Sequence, residues 1–332
     1  MDSSTQTISK SARIYVAGHR GLVGSALVHA LQENRYHDLI LRTHAELDLT
    51  VGTDVARFFA SERPEYVFVA AARVGGILAN STYPADFIRE NLAIQSNIIQ
   101  HSHAVNVNRL LFLGSSCIYP KLAPQPIKEE YLLSGPLELT NRPYAIAKIA
   151  GIEMCWSYNR QYGTRYLAAM PTNLYGPRDN YDLDTSHVIP AIIRKIAEAH
   201  EQGNSSVTLW GTGTPRREFL YSEDLADACL FLLNLPDEQF LPIASSPQKP
   251  PLVNVGWGED VSIRELAAMI SEVVGFKGTV AFDASKPDGT PRKLLDISRL
   301  TSLGWKPSVS LHDGLGLAYG AFCRERTALR SA

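Results

Sequence analysis

Short apolar runs alternate with helical patterns along the first half of the chain. The runs cover 13–17, 39–41, 66–71, 110–113 and 166–170, and each is separated from the next by a stretch long enough for a helix. Strands that are apolar on both faces and alternate with helices are typical of a parallel sheet. The pattern therefore predicts an α/β fold with a doubly wound parallel sheet and right-handed connections.

Past residue 170 the regular alternation weakens. Gly, Pro and Asn cluster in 171–177, and a second loop-rich stretch covers 235–252. We predict a disordered leader over 1–12 and a Rossmann domain over 13–172, with a returning segment near 210–255. A smaller C-terminal α/β lobe is predicted over 173–332.

Composition and charge narrow the class of protein. The chain has 332 residues, of which 45% are hydrophobic, so it can bury a large core. Its formal net charge of −2 gives no global attraction for nucleic acid or acidic membrane. The four cysteines form no CxxC knuckle, and no metal site is predicted. Because residues 1–12 lack the apolar segment of a secretion signal and no run approaches the roughly 18–20 apolar residues of a membrane span, we predict a cytoplasmic protein.

A glycine-rich turn joins the first strand to the first helix. Its residues are Gly18, His19, Arg20, Gly21, Leu22, Val23 and Gly24. Glycines permit a tight turn and close approach of a pyrophosphate to the helix N-terminus, so the turn predicts a dinucleotide site. A plain strand-to-helix turn is the alternative.

The residues that contact the cofactor ribose are expected about 20 positions further on, after the second strand. Arg42 and His44 stand there, where an acidic residue would select NAD. Together with Arg20 they favour the 2′-phosphate of NADP(H), unless Arg42 and His44 are merely solvated. Asp48 is a candidate for the adenine edge, with a solvated loop acid as the alternative.

A phenol and an ammonium lie one helical turn apart at Tyr144 and Lys148. The cation lowers the pKa of the phenol toward a useful range, although an ordinary exposed helix pair has the same spacing. Ser115 follows the strand at 110–113, at the sheet edge where such folds bind ligands. Ser115 and Tyr144 together predict a site that protonates a carbonyl oxygen.

Eight stretches together resemble the GDP-L-fucose synthase family, within the extended short-chain dehydrogenase/reductase superfamily. They are Gly18-His-Arg-Gly21, Ala70-Ala-Ala-Arg-Val-Gly-Gly76, Asn80-Ser-Thr-Tyr-Pro-Ala-Asp86, Gly114-Ser-Ser-Cys-Ile-Tyr-Pro120, Tyr144-Ala-Ile-Ala-Lys148, Pro171-Thr-Asn-Leu-Tyr-Gly-Pro177, Ser186-His-Val-Ile-Pro190 and Asp283-Ala-Ser-Lys-Pro-Asp-Gly-Thr-Pro-Arg292. That family converts GDP-4-keto-6-deoxy-D-mannose to GDP-L-fucose by epimerising carbons 3 and 5 and reducing carbon 4 with NADPH.

The resemblance implies a role for each candidate catalytic residue. Cys117 is the base and His187 the acid of epimerisation, while Tyr144 donates the proton in reduction and Lys148 also holds the nicotinamide ribose. The implied contacts of NADPH beyond the turn and ribose residues are Leu49, Ala70, Ala71, Leu113, Gly114, Ser115, Ser116, Lys148, Pro171, Thr172, Asn173, Leu174 and His187. Outside this context a lone cysteine is usually a small buried hydrophobe, and such a histidine is usually structural.

The GDP moiety needs cations and a stacking surface. The resemblance assigns Lys195, Trp210, Arg217 and Lys286 to this role. Lys195 departs from the arginine of many relatives, so the charge is kept and the bidentate fork is lost. Arg217 in a surface ion pair and Trp210 in the core are the alternatives.

The sequence leaves two alternative functions open and predicts a quaternary structure. The rivals are an epimerase or reductase for another 4-keto sugar nucleotide, and an NADP-binding sensor without catalysis. Two helices, one after Asp86 and one over 144–158, resemble those that pair across a four-helix dimer interface in this superfamily, which predicts a homodimer. In the alternative their apolar positions all face the monomer's own sheet.

Overall fold

The computed structural model describes residues 8–183, 185–286 and 288–330. Its strands are β1 (Ile14–Ala17), β2 (Leu39–Ile40), β3 (Tyr66–Val69), β4 (Arg109–Leu113), β5 (Tyr166–Pro171), β6 (Asn173–Tyr175), β7 (Ser206–Trp210), β8 (Arg216–Tyr221), β9 (Leu252–Val255), β10 (Asp260–Ser262), β11 (Thr279–Asp283) and β12 (Arg292–Lys293). Its helices are α1 (Leu22–Glu33), α2 (Gly52–Glu62), α3 (Ile77–Thr82), α4 (Pro84–Ala104), α5 (Arg142–Tyr162), α6 (Val188–Glu201), α7 (Ser222–Asn234), α8 (Asp237–Ala244), α9 (Ile263–Val274), α10 (Ser298–Ser302) and α11 (Leu311–Arg330). Short 3-10 helices lie at Ser116–Ile118, Glu129–Tyr131 and Leu139–Asn141.

A parallel sheet organises the first part of the molecule. Within the described residues it has six strands in the order β2-β1-β3-β4-β5-β9, and every neighbouring pair is parallel. All five apolar runs of the sequence form strands of this sheet. The predicted doubly wound α/β fold is confirmed.

Both faces of this sheet are covered by helices. On one face α1 and α7 pack together around residues such as Leu27 and Leu232. On the other face α2, α4 and α5 enclose Phe59, Ile98 and Ile152. Because neither face meets water, the strands lack the alternation of apolar and polar residues that a half-exposed strand shows.

A second lobe follows the sheet. Strand β8 lies between β10 and β12 and also pairs with β6, while β7 and β11 form a separate parallel pair. Helices α6, α9 and α11 enclose a core that includes Ile193, Leu266 and Leu315. The lobes touch beside the sheet's carboxyl edge, where Gly76 N–H donates to Thr185 O at 3.1 Å.

The end of the predicted leader is structured. Residues 1–7 lie outside the described residues, but the prediction of disorder is wrong for 8–12. Ile8 and Ala12 are buried, and Ile8 N–H donates to Asn234 Oδ1 at 3.0 Å. The apolar side chain of Ile8 packs on the core that α1 and α7 share, so its burial outweighs the polar composition around it.

Two further features concern the whole chain. None of the described helices has the length and apolar character that crossing a bilayer requires. Cys117, Cys155, Cys229 and Cys323 are all free thiols.

The contact between α5 and the sheet allows a stability prediction at Gly151. A Cβ at this position would lie 2.4 Å from Phe112 Cζ and 2.9 Å from Gln95 Oε1. Gly151→Ala should therefore overpack this contact and lower the free energy of unfolding by about 1–3 kcal/mol in urea titrations.

The matched control is Gly316→Ala in α11, where an added Cβ has no atom within 4 Å. This change should leave stability unchanged or raise it by up to about 1 kcal/mol, because alanine favours the helix. Equal effects at the two glycines would contradict the packing described for α5.

Candidate active site

The glycine-rich turn lies between β1 and α1. Gly18 has a φ of +83°, and Gly21 N–H donates to its carbonyl oxygen at 3.1 Å. A Cβ on Gly24 would lie 2.0 Å from that oxygen, and a Cβ on Gly18 would lie 2.7 Å from the Ala71 nitrogen. Both positions therefore require glycine. Gly21 is the N-cap residue of α1, and because it has no side chain, no side-chain cap occupies the N–H groups at the start of the helix.

Arg42, predicted to face a 2′-phosphate, is half-buried and its guanidinium has protein partners. Its guanidinium donates to Leu41 O at 2.9 Å and pairs with the Glu62 carboxylate. Glu62 also pairs with Arg13 at 2.8 Å. A phosphate that binds Arg42 would have to compete with this carboxylate.

The other residues of the ribose region differ in their exposure. The His44 side chain is 84% exposed, with Nδ1 4.0 Å from Asp48 Oδ1, and Arg20 is also exposed. Asp48 accepts hydrogen bonds from the Thr50 hydroxyl and N–H at 2.7 and 2.9 Å, which lower the pKa of its carboxyl. Arg20 and His44 are thus the most exposed of the predicted ribose residues, although the His44 imidazole has the Asp48 carboxylate beside it.

The remaining predicted cofactor residues gather along the carboxyl edge of the sheet. Ala70 and Ala71 follow β3, residues 113–116 end and follow β4, and residues 171–174 end β5 and begin β6. Ala70 N–H donates to Ala17 O at 3.0 Å, which draws the end of β3 against the glycine turn. Leu49 packs against the core that α2, α4 and α5 enclose, and its carbonyl oxygen accepts from Asn97 Nδ2 at 2.8 Å.

Tyr144 and Lys148 share one face of α5, which packs against the end of β4. Lys148 Nζ donates to Leu113 O at 2.7 Å and lies 5.8 Å from the centre of the Tyr144 ring. The Tyr144 hydroxyl is hydrogen-bonded to the Ser115 side chain. The structure therefore brings together the three residues that the sequence predicted to act on a carbonyl oxygen.

Burial controls the protonation of this pair. It raises the pKa of the Tyr144 phenol above its usual range, and the nearby Cys117 adds to the rise while the Ser115 hydrogen bond opposes it. Burial lowers the pKa of Lys148 to about 8, against a smaller opposing effect of Cys117. The phenol thus keeps its proton at neutral pH, whereas the ammonium titrates just above neutrality.

Cys117 lies in the 3-10 helix that follows Ser115. It is 8% exposed, and its N–H donates to Ser115 Oγ at 3.5 Å. Burial raises the pKa of its thiol, while the cations of Lys293 and Lys148 and a hydrogen bond with Ser115 lower it. Unlike a thiol buried among apolar side chains, Cys117 therefore lies in a positive, polar environment.

His187 reaches the same environment from the second lobe. It is the N-cap residue of α6. Burial lowers the pKa of its imidazole, and the charge of Lys293 lowers it further. The charge of Lys293 thus acts on the pKa of both Cys117, after β4, and His187, at the start of α6.

Lys293 is a further site residue, which the sequence does not predict. It lies in β12, where its Cα is in register with Arg217 of β8. Burial lowers the pKa of its ammonium group. It stands one position beyond the resembling stretch that ends at Arg292, and a two-residue strand has no periodicity that reveals it.

Three of the predicted nucleotide contacts form a cluster at the second lobe. Trp210 is 67% exposed, with Lys195 Nζ 5.3 Å and Lys286 Nζ 5.8 Å from its ring centre. The alternative that Trp210 is a core residue is therefore wrong. An exposed ring beside two ammonium groups suits a base to stack on and phosphates to hold.

Arg217, the fourth predicted nucleotide contact, is half-buried beside this cluster. Its Nη1 donates to Arg216 O at 2.7 Å, and Nη2 lies 2.8 Å from where a Cβ on Gly289 would stand. Burial lowers the pKa of the guanidinium, and the nearby Asp288 opposes this. Asp288 accepts from Thr212 N–H and hydroxyl at 3.0 and 2.7 Å, so the loop that covers Arg217 is attached to the end of β7.

The described residues fit a pyridine dinucleotide and a sugar nucleotide at one edge of the sheet. The cradle that Gly18 and Gly24 leave open accommodates a pyrophosphate, and the ammonium of Lys148 is placed to hold a ribose. Cys117 and His187 supply proton-transfer groups beside the phenol of Tyr144. The arrangement suits proton exchange next to a carbonyl combined with its reduction.

The chain is similar to characterised protein groups along almost its full length. Residues 14–244 match the NAD dependent epimerase/dehydratase family. GDP-L-fucose synthase 1 of Arabidopsis thaliana is 57% identical, over 93% of this chain and 93% of that protein. GDP-L-fucose synthase of Escherichia coli (strain K12) is 55% identical, over 96% of this chain and 98% of that protein.

A solved structure extends the comparison to the fold. The GDP-L-fucose synthetase from Naegleria fowleri bound to NADP superposes with a TM-score of 0.87 at 26% identity, over 97% of this chain and 95% of that one. The chain therefore belongs to the NAD dependent epimerase/dehydratase family, in which it groups with the GDP-L-fucose synthases.

Proposed function

We propose that this protein converts GDP-4-keto-6-deoxy-D-mannose to GDP-L-fucose, by epimerisation at carbons 3 and 5 and reduction of carbon 4 with NADPH. One observation carries the proposal: the charge of Lys293 lowers the pKa of both Cys117 and His187, and Cys117 N–H donates to Ser115 Oγ of the Ser115–Tyr144–Lys148 group. A reductase has no need of this second pair. The relatives that share more than half of the sequence bear the name of this activity.

Epimerisation requires removal of a proton next to the 4-keto group and its return on the other face of the ring. Cys117, as thiolate, takes the proton, and the charges of Lys148 and Lys293 stabilise that thiolate. The enolate charge develops on the ketone oxygen, where Ser115 and Tyr144 donate hydrogen bonds. His187 gives a proton from the opposite side, and burial makes its imidazolium a stronger acid.

Reduction uses the same oxygen. Tyr144 transfers its proton to the oxygen of carbon 4, and Lys148 lowers the cost of the phenolate that remains. NADPH, when bound, supplies the hydride for carbon 4. The Lys148–Leu113 hydrogen bond keeps the ammonium beside the phenol during both stages.

The nucleotide half of the substrate belongs to the second lobe. Lys286, Lys195 and Arg217 neutralise the GDP phosphates, together with Lys293, and the guanine stacks near Trp210. Lys195 gives a point charge in place of a bidentate fork, so its contribution is weaker than that of an arginine.

The division of labour between the lobes follows. Residues 13–172, with a returning segment near 210–255 that includes α7 and β9, form the NADPH-binding domain, and most of 173–332 forms the substrate-binding lobe. We assign the 2′-phosphate of NADPH mainly to the exposed Arg20 and His44, since Arg42 is paired with Glu62. Asp48 and residues 171–174 complete the adenine and nicotinamide ends.

The first experiment follows the wild-type protein with GDP-4-keto-6-deoxy-D-mannose and NADPH in deuterated water, with the product sugar examined by NMR. We expect NADPH consumption, L-fucose stereochemistry, and deuterium at carbons 3 and 5. Cys117→Ser should slow the deuterium exchange by at least about 100-fold, because a serine hydroxyl, unlike a thiol with a pKa of about 8.5, is hardly ionised near neutral pH and so supplies almost no anionic base.

Cys323→Ser is the matched control, since this thiol is exposed in α11, and it should exchange at the wild-type rate. Reduction without deuterium at either carbon would contradict the epimerase assignment. Absence of NADPH consumption would contradict the reaction as a whole.

A pH prediction follows from Lys148. Its pKa of about 8 means that the ammonium charge is present below pH 8 and is lost as the pH rises through that value. The rate of NADPH oxidation should therefore fall about tenfold per pH unit above about pH 8. Lys148→Arg should react more slowly but without this fall up to about pH 10, because a guanidinium keeps its proton.

Lys121→Arg at the surface ion pair with Glu138 is the control, and its profile should match the wild type. A fall at the same pH in Lys148→Arg would assign the titration to another group.

We also propose that the protein is cytoplasmic, which its four free thiols support.

We further propose a homodimer that forms through α4 and α5. Ile88 and Leu92 of α4 and Ile146 of α5 are only partly covered by the protein's own chain. Light scattering should give a mass about twice 36.6 kDa. Leu92→Arg should give a monomer, whereas Leu122→Arg, at an 81% exposed position elsewhere, should remain dimeric. A monomeric wild type would contradict the proposal.

A further inference from the structure

Glu218 is a buried carboxyl group that the proposed chemistry leaves without a role. It lies in β8 directly after Arg217, and it is 0% exposed. Burial raises its pKa to about 7. Burial of an ionised carboxyl group costs free energy unless hydrogen bonds within the protein replace those to water.

The side chain of Glu218 joins two segments of the second lobe. Gly258 N–H donates to Oε1 at 2.7 Å, and Leu295 N–H donates to Oε2 at 3.0 Å. A Cβ on Gly256 would lie 2.2 Å from Oε1, so the backbone of this loop is folded tightly around the carboxylate. Leu295 follows Lys293 by two residues, so the carboxylate holds the chain that carries this cation.

The main-chain oxygen of Glu218 has different partners. It accepts from Thr172 Oγ1 at 3.2 Å and from Asn173 Nδ2 at 2.8 Å. These residues belong to the segment assigned to the nicotinamide end of the cofactor. The Thr172 hydroxyl also hydrogen-bonds the carboxylate and lowers its pKa, whereas Asn173 binds the main-chain oxygen. A change confined to the Glu218 side chain therefore alters the attachment of the Lys293 segment and leaves the hydrogen bonds to the main-chain oxygen in place.

The register of the strands shows what the carboxylate fixes. Lys293 of β12 lies opposite Arg217 of β8. On the far side of this pair, Asp260 binds both Arg216 and Arg292. Strand β12 is thus attached to β8 on both sides of Lys293, by Asp260 before it and by Glu218 after it.

We propose that Glu218 is a positioning residue for the nucleotide sugar. Its carboxylate holds β12 so that Lys293 stays at the spacing from Arg217 at which the two cations grip one pyrophosphate. Two cations bind a diphosphate well only when both reach it at once. This inference rests on the proposed nucleotide site and adds a residue that touches neither substrate nor cofactor.

Glu218→Gln tests the proposal, because glutamine keeps the shape and replaces one acceptor oxygen with an NH2 group that cannot accept from a main-chain N–H. Calorimetry with GDP as the probe should show a Kd raised about tenfold. The Kd of NADPH should change less than about twofold, since the main-chain oxygen keeps its partners.

A double-mutant cycle shows whether Glu218 acts through Lys293. Lys293→Met alone should also weaken GDP binding, and adding Glu218→Gln to it should weaken binding less than about twofold further. Glu129→Gln is the matched control: this carboxyl is also buried and accepts from Asn254 N–H at 3.0 Å. It does not contact β12, so its loss should leave GDP affinity unchanged.

The outcomes separate the two proposals. Unchanged GDP affinity in Glu218→Gln, equal loss for GDP and NADPH, or the same loss in the Lys293→Met background would overturn the positioning role. A wild-type protein that does not bind GDP would overturn the nucleotide site as well. If Glu218→Gln does not fold, Gly256→Ala displaces the same carboxylate with its charge intact and should give the same selective loss of GDP affinity.

Discussion

The hydrogen bond from Lys148 Nζ to Leu113 O, 2.7 Å long and shielded from water, fixes helix α5 against the end of strand β4. The helix carries Tyr144, and the chain leaving the strand carries Ser115 and Cys117. A single buried contact therefore sets the position of a phenol, a hydroxyl and a thiol relative to one another. The sheet contributes the rigidity, because both of its faces are packed against helices.

Charge then decides which of these groups holds a proton. Burial disfavours the charged form of each group. It therefore raises the pKa of Cys117 and Tyr144 and lowers the pKa of Lys148 and Lys293. The two ammonium groups counteract this at the thiol and make its anion accessible. A diphosphate substrate would bring negative charge to the same pocket and would offset the positive charges of Arg217, Lys286 and Lys293.

The sequence was informative wherever a rule of backbone geometry or spacing applies. Apolar runs marked the strands because the sheet is covered on both faces, and the glycine turn was visible because Gly18 and Gly24 have no room for a Cβ. The pairing of Tyr144 with Lys148 followed from one helical turn. Each of these features is local along the chain.

Features that depend on distant segments were not predictable in this way. Lys293 and Glu218 meet the site through short strands of the second lobe, whose pairing no periodicity reveals. Arg42 pairs with Glu62, which lies 20 positions further along the chain. This pair decides which side chains are free to bind a 2′-phosphate. Ile8 is buried because it reaches the α1–α7 core, although its neighbours are polar.

The proposed reaction requires groups from both lobes to act on one sugar ring. A crystal structure with NADP+ and GDP-L-fucose tests this most directly. We predict Cys117 and His187 on opposite faces of the hexose, with Ser115 and Tyr144 at the oxygen of carbon 4. A sugar bound away from Cys117, or flanked by both groups on the same face, would contradict this arrangement of the two lobes.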